Sequence, residues 1–258
     1  MKWYRLAFVA LLCCLVLLLS LPIVVYIPYR HLSEHELWWT SCSRSPFVIL
    51  HSKFGTGSGF LCKYGGNVFI MTARHVIMGS VSPLKTVECF DCAGNRIGVA
   101  TPWLIDDYRD IALCLASGDT YSRLPYQPFE VADMSVEQLK SLAGQDAWYH
   151  GTAGVGEWLR FNSFGFAGFS ERTTIVRVVP VKHNLRMLDT PFDKGLLDDQ
   201  KDMVMITVKG GVWYGCSGGP LVYDGKVIGV CSMVENFTPK AGAVYIYPGH
   251  SLKELLGK

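Results

Sequence analysis

Residues 215–220 read Gly215-Cys216-Ser217-Gly218-Gly219-Pro220, and they carry more information than any other segment of the chain. They place one serine between glycines, in a backbone that can turn its N–H groups outward. A nucleophile that attacks a carbonyl group needs an accessible hydroxyl and a nearby cradle for the oxyanion that forms. Because many tight turns contain a glycine-flanked serine, this segment needs support from elsewhere in the chain.

Two upstream segments supply that support, Thr72-Ala73-Arg74-His75 and Asp110-Ile111-Ala112-Leu113. A histidine can take the proton of a serine hydroxyl and later deliver it to a leaving amine. A buried carboxylate can hold that histidine in the required tautomer and stabilise the imidazolium. Asp106 and Asp107 compete for this role, but only Asp110 leads directly into an apolar run, which places its carboxylate at the start of a strand.

Along the chain, the histidine segment comes first, the aspartate segment second and the serine segment third. In this order the three segments resemble the signature segments of the trypsin-like (chymotrypsin-fold) serine proteases. The resemblance spans Phe47 to Leu256 and is closest to the HtrA/Deg branch. That branch is favoured by Gly57-Ser58-Gly59-Phe60 before the histidine and by Val227-Ile228-Gly229 after the serine. Only 41 residues follow Ser217 (258 − 217), so we expect an HtrA-like domain without a PDZ domain.

The resemblance implies a role for each residue of the constellation. His75 is the general base, Asp110 the orienting acid and Ser217 the nucleophile. The backbone N–H groups of Gly215 and Ser217 form the oxyanion hole. Ser232 matches the serine that hydrogen-bonds to the buried aspartate in this family.

Two residues differ from the digestive branch of the family. Cys216 stands where that branch has an aspartate that pairs with a newly cut N-terminus, so we expect no such activation switch. Val76 follows His75 where that branch has a disulfide cysteine. Both differences favour the HtrA-like or viral-like side of the family.

The same resemblance places the primary substrate pocket on both sides of the nucleophile. The predicted lining residues are Gly211, Val212, Ser232, Met233 and Val234. Residues 210–214 include no acidic side chain. We therefore expect cleavage after a small or medium apolar residue rather than after Lys or Arg.

The rest of the chain reads as short strands separated by glycine-rich turns, which is typical of a β-sandwich or barrel. We predict an all-β fold, which the resemblance refines to two six-stranded antiparallel β-barrels preceded by one N-terminal transmembrane helix. The predicted divisions are an anchor or signal-anchor over 1–30, a first barrel over 31–125, a linker over 126–144 and a second barrel over 145–258. A helix capped by Ser135 is expected in the linker, and a short helix over Ser251–Leu256 closes the second barrel.

The N-terminal segment Leu6–Tyr29 has 24 uncharged residues, enough to cross a hydrocarbon core of about 30 Å. A cleavable signal peptide is the alternative, but its apolar region is usually about 7–15 residues long. Its small-x-small site also fits poorly, since Leu18 precedes Ser20 at the first small position. We predict an uncleaved single-pass anchor, with the catalytic domain on the extracytoplasmic side because Lys2 and Arg5 precede the run.

The net charge and the cysteine content limit which kinds of partner and cofactor the sequence predicts. Beyond residue 30 the chain has 21 basic and 22 acidic residues, a net charge of −1, so no basic field indicates nucleic acid. Cys89 and Cys92 have metal-pair spacing without a matching second pair, which leaves two strand-end thiols or one local disulfide. We expect no metal and no cofactor, and as partners a protein or peptide substrate and a membrane contacted through residues 6–29.

Three functions fit these observations. The first is a membrane-anchored serine endopeptidase that hydrolyses peptide bonds through an acyl-enzyme intermediate. The second is a polyprotein-processing protease of the RNA-virus type, and the third is a catalytically inactive trypsin-like domain that binds its partner. The joint presence of His75, Asp110 and Ser217 disfavours the third.

Overall fold

The computed structural model describes ten segments of the 258-residue chain: 11–13, 46–52, 55–79, 82–91, 95–117, 127–151, 169–181, 203–209, 215–234 and 242–257. The chain divides into two compact units, Met1–Trp39 and Thr40–Lys258. In the first unit residues 11–13 are helical, and the rest of the predicted anchor over 6–29 lies outside the described segments. Within those segments, no helix is long and apolar enough to span a membrane.

The first half of the second unit is a ring of six antiparallel strands. They are β1 (Phe47–Ser52), β2 (Gly55–Tyr64), β3 (Asn67–Ala73), β4 (Val87–Phe90), β5 (Arg96–Asp106) and β6 (Ile111–Ala116). They pair in the order β1-β4-β5-β6-β3-β2, and β2 pairs again with β1, which closes the ring. Buried apolar side chains fill it, among them Leu50, Ile70 and Ala112. Gly65 and Gly66, with φ of 56° and 86°, form the two-residue turn between β2 and β3.

The second half contains another closed set of six antiparallel strands. They are β8 (Asp146–Gly151), β9 (Phe169–Val181), β10 (Met203–Lys209), β11 (Pro220–Tyr223), β12 (Lys226–Val234) and β13 (Gly242–Ile246). They pair in the order β12-β11-β8-β9-β10-β13, and β13 pairs again with β12. Its core includes the buried side chains of Tyr149, Ile206 and Tyr245.

A short strand and two helices connect and close these rings. Strand β7 (Phe129–Val131) runs parallel to both β2 and β12, so it joins the two rings. Helix α1 (Val136–Ser141) follows it, and helix α2 (Gly249–Leu255) follows β13. The N-terminus of α1 is a capping box in which Ser135 and Gln138 each accept from the other's backbone N–H, at 3.2 and 2.7 Å.

The all-β prediction and the helix capped by Ser135 are confirmed. In the sequence, the run Arg96–Ala100 predicts a short strand that ends before Pro102, whereas β5 continues to Asp106. The extension contains Pro102, which cannot donate a hydrogen bond, and a bulge between Pro102 and Leu104 lets the strand pass it. This extension delivers the chain to the turn before Asp110. The boundaries at residues 125 and 144 stay a prediction.

The structure of Cys89 shows that the local disulfide, one of the two interpretations of the cysteine pair, is wrong. It lies in β4 as a free, buried thiol, so a disulfide with Cys92 is excluded. Cys92 itself lies outside the described residues.

Candidate active site

Two neighbouring strands of the first barrel bring His75 and Asp110 together. His75 lies in a 3-10 turn directly after β3, and Asp110 lies directly before β6. These strands are paired with Ala73 opposite Ile111. His75 Nδ1 lies 2.8 Å from Asp110 Oδ2, and the His75 backbone N–H donates to Asp110 Oδ1 at 3.0 Å. A carboxylate accepts from both, so Nδ1 carries a proton and Nε2 is left to act as the base.

A strand of the second barrel completes the environment of Asp110. The Ser232 hydroxyl, on β12, donates to Asp110 Oδ2 at 2.6 Å. This is the hydrogen bond that the resemblance implies for Ser232. Both barrels therefore hold the same carboxylate.

These contacts shift the pKa values of the pair in opposite directions. Burial by itself raises the pKa of Asp110, but the charge of His75 and the hydrogen bonds from His75 and Ser232 outweigh burial and lower it. Burial lowers the pKa of His75, but the charge and hydrogen bond of Asp110 outweigh burial and raise it, against a smaller opposing effect of Arg74. The pair therefore stabilises an imidazolium beside a carboxylate.

Asp106 and Asp107, the two competing carboxylates, have other partners. Asp106 accepts from the backbone N–H groups of Tyr108 and Arg109 and from the Arg109 side chain. Asp107 forms an ion pair with Arg74. Among the described residues, neither carboxylate hydrogen-bonds to His75.

The loop that carries Ser217 is fastened to β2 of the first barrel. The Ser58 backbone N–H donates to the Ser217 carbonyl at 2.8 Å, and the Ser58 hydroxyl donates to the Gly215 carbonyl at 2.6 Å. On the other side, Gly218 N–H donates to the Cys231 carbonyl at 2.7 Å. The loop is thus held between strands of both barrels.

Gly218 lies close to the strand that leads to His75. A Cβ atom there would lie 2.1 Å from the Ser58 carbonyl oxygen, 2.2 Å from Thr72 Oγ1 and 2.9 Å from the Ala73 nitrogen. Gly218 also has a φ of 86°, which L side chains rarely adopt. The residue after Ser217 therefore contacts the chain two residues before His75.

Two backbone N–H groups of this loop are available as donors. Among the described residues, the N–H groups of Gly215 and Ser217 have no hydrogen-bond acceptor. Such unpaired donors are what an oxyanion hole requires. Ser217 is partly exposed, and its hydroxyl makes no hydrogen bond to His75 or to other described residues. In free enzymes this contact is often long and shortens only with substrate.

Cys216 points into the second barrel. Its side chain is 1% exposed, and a Cβ on Gly151 would lie 2.5 Å from Cys216 Sγ. The neighbouring Ser217 is the partly exposed residue of the pair, so the serine and not the cysteine is placed to react.

The predicted substrate pocket is only partly within the described segments. Gly211 and Val212 lie outside them. Met233 and Val234 end β12, where their backbone pairs with Val244 and Ala243 of β13. Their role as lining residues stays a prediction.

Ser58 and Thr72 lie in two of the quoted motifs, Gly57-Ser58-Gly59-Phe60 and Thr72-Ala73-Arg74-His75, but the motifs assign neither residue a contact of its own. Ser58 holds the Ser217 loop, and the Thr72 hydroxyl donates to the Ser58 carbonyl at 2.7 Å. For Ser58 the sequence signal is the pair of flanking glycines, Gly57 and Gly59, because glycines within a strand mark a close backbone approach.

Comparisons with known proteins find a likeness at the level of structure. Neither the protein-family models nor the curated proteins include a match. The Rv3671c protease of M. tuberculosis, in its inactive form, aligns with a TM-score of 0.57 and 19% identity over 85% of this chain and 94% of that chain.

Two further proteases align over a similar extent. Neuropsin, a serine protease of mouse brain, gives a TM-score of 0.54 and 16% identity over 88% of this chain and 96% of its own. The protease domain of MamO from Magnetospirillum magneticum gives a TM-score of 0.52 and 15% identity over 81% and 95%. The fold is that of the trypsin-like serine proteases. In this trypsin-like fold, the His75–Asp110 pair and the Ser217 loop both lie where strands of the two barrels contact each other.

Proposed function

We propose that this chain is a serine endopeptidase that cleaves peptide bonds through an acyl-enzyme intermediate. The observation that carries the proposal is the hydrogen-bonded His75–Asp110 pair, joined by Ser232, beside a glycine loop that presents Ser217. Two N–H groups of the same loop, which have no acceptor among the described residues, supply the electrostatic part of the site. A binding domain has no need for this combination.

Each residue has a step in the proposed reaction. His75 Nε2 takes the Ser217 proton as the serine oxygen attacks the carbonyl carbon, and the same proton then goes to the leaving amine. Asp110 stabilises the imidazolium throughout. The N–H groups of Gly215 and Ser217 stabilise the oxyanion, and each such donor contributes on the order of 3 kcal/mol. Water, activated by His75, then hydrolyses the acyl-enzyme.

The raised pKa of His75 sets the direction of the pH dependence. His75 accepts a proton only when it is neutral, so activity increases as the pH rises through this raised pKa.

Labelling with a serine-directed fluorophosphonate tests the proposal. We expect the folded wild-type protein to be labelled on Ser217, and Ser217→Ala to lose labelling while keeping its fold. Ser135→Ala, which removes an exposed serine at the cap of α1, is the matched control and retains labelling. A folded wild-type protein that is not labelled would instead be the inactive binding domain.

We further propose an HtrA/Deg-like, membrane-anchored enzyme, with residues 6–29 as a single-pass anchor and the barrels on the extracytoplasmic side. The support is the uncharged 24-residue run and the basic residues Lys2 and Arg5 before it. Carbonate extraction and protease protection of the expressed full chain test this. Release into the soluble fraction, or protection of the barrels on the cytoplasmic side, would contradict it.

For the substrate, we propose a small or medium apolar residue before the cleaved bond. Residues 210–214 contain no carboxylate to pair with Lys or Arg. A peptide library cleaved by the wild-type protein provides the profile, with Ser217→Ala as the background. A profile dominated by basic residues would refute the proposal.

A further inference from the structure

Arg109 connects the turn before Asp110 to helix α2. The Arg109 residue is 5% exposed, and its Nη1 lies 2.8 Å from Asp106 Oδ2 and 2.8 Å from Glu254 Oε2. Asp106 ends β5, and Glu254 lies on α2, 145 residues beyond Arg109 in the chain. One guanidinium nitrogen therefore joins the first barrel to a helix that follows the second.

The turn that Arg109 holds has an unusual backbone. Asp110 has a φ of 53°, in the left-handed region that residues other than glycine rarely adopt. Such a conformation persists only where the surrounding structure enforces it. A change in this φ rotates the carboxylate away from His75, whose Nδ1 and backbone N–H are both bound to it.

Two sets of contacts enforce the turn. Asp106 Oδ1 accepts from the backbone N–H groups of Tyr108 and Arg109 at 3.1 and 3.0 Å, which fixes the middle of the turn. The side chain of Arg109, the residue before Asp110, is held by the carboxylates of Asp106 and Glu254. Burial lowers the pKa of Arg109, but the hydrogen bonds and charges of Glu254 and Asp106 outweigh burial and raise it.

We propose that Arg109 and Glu254 are positioning residues for the catalytic pair, and that their ion pair holds the turn in the conformation that directs Asp110 at His75. This inference rests on the proposed protease function. Glu254 acts through Arg109 and touches neither substrate nor reacting atoms. Its side chain is 43% exposed, so its replacement leaves no cavity in the core.

The test is Glu254→Gln in the full chain, because it keeps the shape of the side chain and removes the ion pair. The matched control is Asp133→Asn, which also removes one negative charge and breaks a second ion pair of α2, Lys253 Nζ–Asp133 Oδ1 at 2.9 Å. The readouts are kcat and KM on a cleaved peptide and the His75 pKa from an NMR titration of the imidazole.

We expect Glu254→Gln to lower kcat roughly tenfold, since small misplacements of catalytic groups reduce rates strongly, with little change in KM. The His75 pKa decreases because its contact with Asp110 weakens. Glu254→Asp, which keeps the charge, restores part of kcat. Asp133→Asn changes neither kcat nor the His75 pKa.

A purely structural role gives a different result. If Glu254→Gln lowers the urea midpoint but leaves kcat and the His75 pKa at wild-type values, the inference is wrong. Equal effects of Glu254→Gln and Asp133→Asn would also overturn it. If the wild-type protein hydrolyses no peptide and resists the fluorophosphonate, the protease proposal fails, while the titration still decides whether Glu254 positions Asp110.

Discussion

Gly218 has no room for a side chain, and this gives a test of the docking between the barrels. In Gly218→Ala the new Cβ would meet the Ser58 carbonyl oxygen at 2.1 Å, so the loop or β2 must move. We expect a loss of more than about 3 kcal/mol in the free energy of unfolding, together with loss of fluorophosphonate labelling. Urea denaturation followed by fluorescence measures the first effect.

Gly225→Ala is the control for the backbone component. Gly225 also has a positive φ, 73°, but nothing lies within 4 Å of a Cβ there. This substitution therefore costs only the left-handed conformation, about 1–2 kcal/mol, and labelling is retained. Equal losses in the two variants would show that contact with Ser58 is unimportant.

At this scale the sequence predicts the candidate catalytic residues better than their supports. His75, Asp110 and Ser217 can be chosen as candidates because the proposed chemistry restricts the residue types and each has a distinctive neighbourhood. Ser58 and Arg109 are common polar residues whose roles arise from contacts across the chain. Ser58 meets Gly215, 157 positions away, and no local pattern encodes such a distance.

At the scale of elements, strand β12 reaches from the second barrel to the carboxylate of the first. Ser232→Ala removes the hydroxyl that donates to Asp110 Oδ2, so the pKa of Asp110 in the folded protein rises toward its unfolded value. A lowered folded pKa contributes stability that is present above the unfolded pKa and is lost as the pH falls through the folded pKa. We therefore expect Ser232→Ala to cost about 1–3 kcal/mol at neutral pH.

The pH dependence of this cost is the decisive part. The difference in unfolding free energy between the wild-type protein and Ser232→Ala decreases as the pH falls and Asp110 becomes protonated. Urea denaturation at neutral and acidic pH measures it. A difference that is the same at both pH values would mean that Ser232 acts through packing and not through the carboxylate.

The elements themselves are predictable to different degrees. Helix α1 follows from Ser135 and Gln138, because a capping box is a local signal. The end of β5 does not follow from local sequence. A bulge carries the strand past Pro102, and this bulge depends on pairing with β6. Strand β7 has three residues and is defined by pairing with two distant strands, so neighbouring residues contain too little information to place it.

At the scale of the whole molecule, the two barrels enclose the cysteine side chains that the structure describes beyond residue 46. Five of them are buried in the two barrels: Cys62, Cys89, Cys114, Cys216 and Cys231. Burial raises the pKa of the Cys89 thiol to about 12 and raises the pKa of Cys62 and Cys231 as well. The thiolate is the reactive form of cysteine. Cys62, Cys89 and Cys231 are therefore protected in two ways, because reagents do not reach the buried sulfur atoms and because the thiols stay protonated.

We expect iodoacetamide at mildly alkaline pH to leave these five cysteines unmodified in the native protein and to alkylate all of them in urea. Peptide mapping by mass spectrometry distinguishes them from the remaining cysteines. Rapid native alkylation of Cys89 or Cys231 would contradict the closed packing of the corresponding barrel.

The global fold was predictable because three motifs in a fixed order resemble one family, and because short strands with glycine turns favour a β-sandwich or barrel. The docking of the barrels was not, since it depends on individual contacts such as Gly218 against Thr72. The anchor is predicted from composition alone, and its helical residues 11–13 are all that the structure describes of it.

Hydrogen bonds from both barrels hold the Asp110 carboxylate, and this has a consequence for folding during biosynthesis. The first barrel carries His75 and Asp110, yet Ser232 and the Ser217 loop come from strands made more than a hundred residues later. Under the proposed protease mechanism, a nascent chain that has folded only its first barrel has His75 and Asp110 but no nucleophile. We therefore expect the ribosome-bound chain to be unable to cleave neighbouring proteins until β12 and the Ser217 loop have docked.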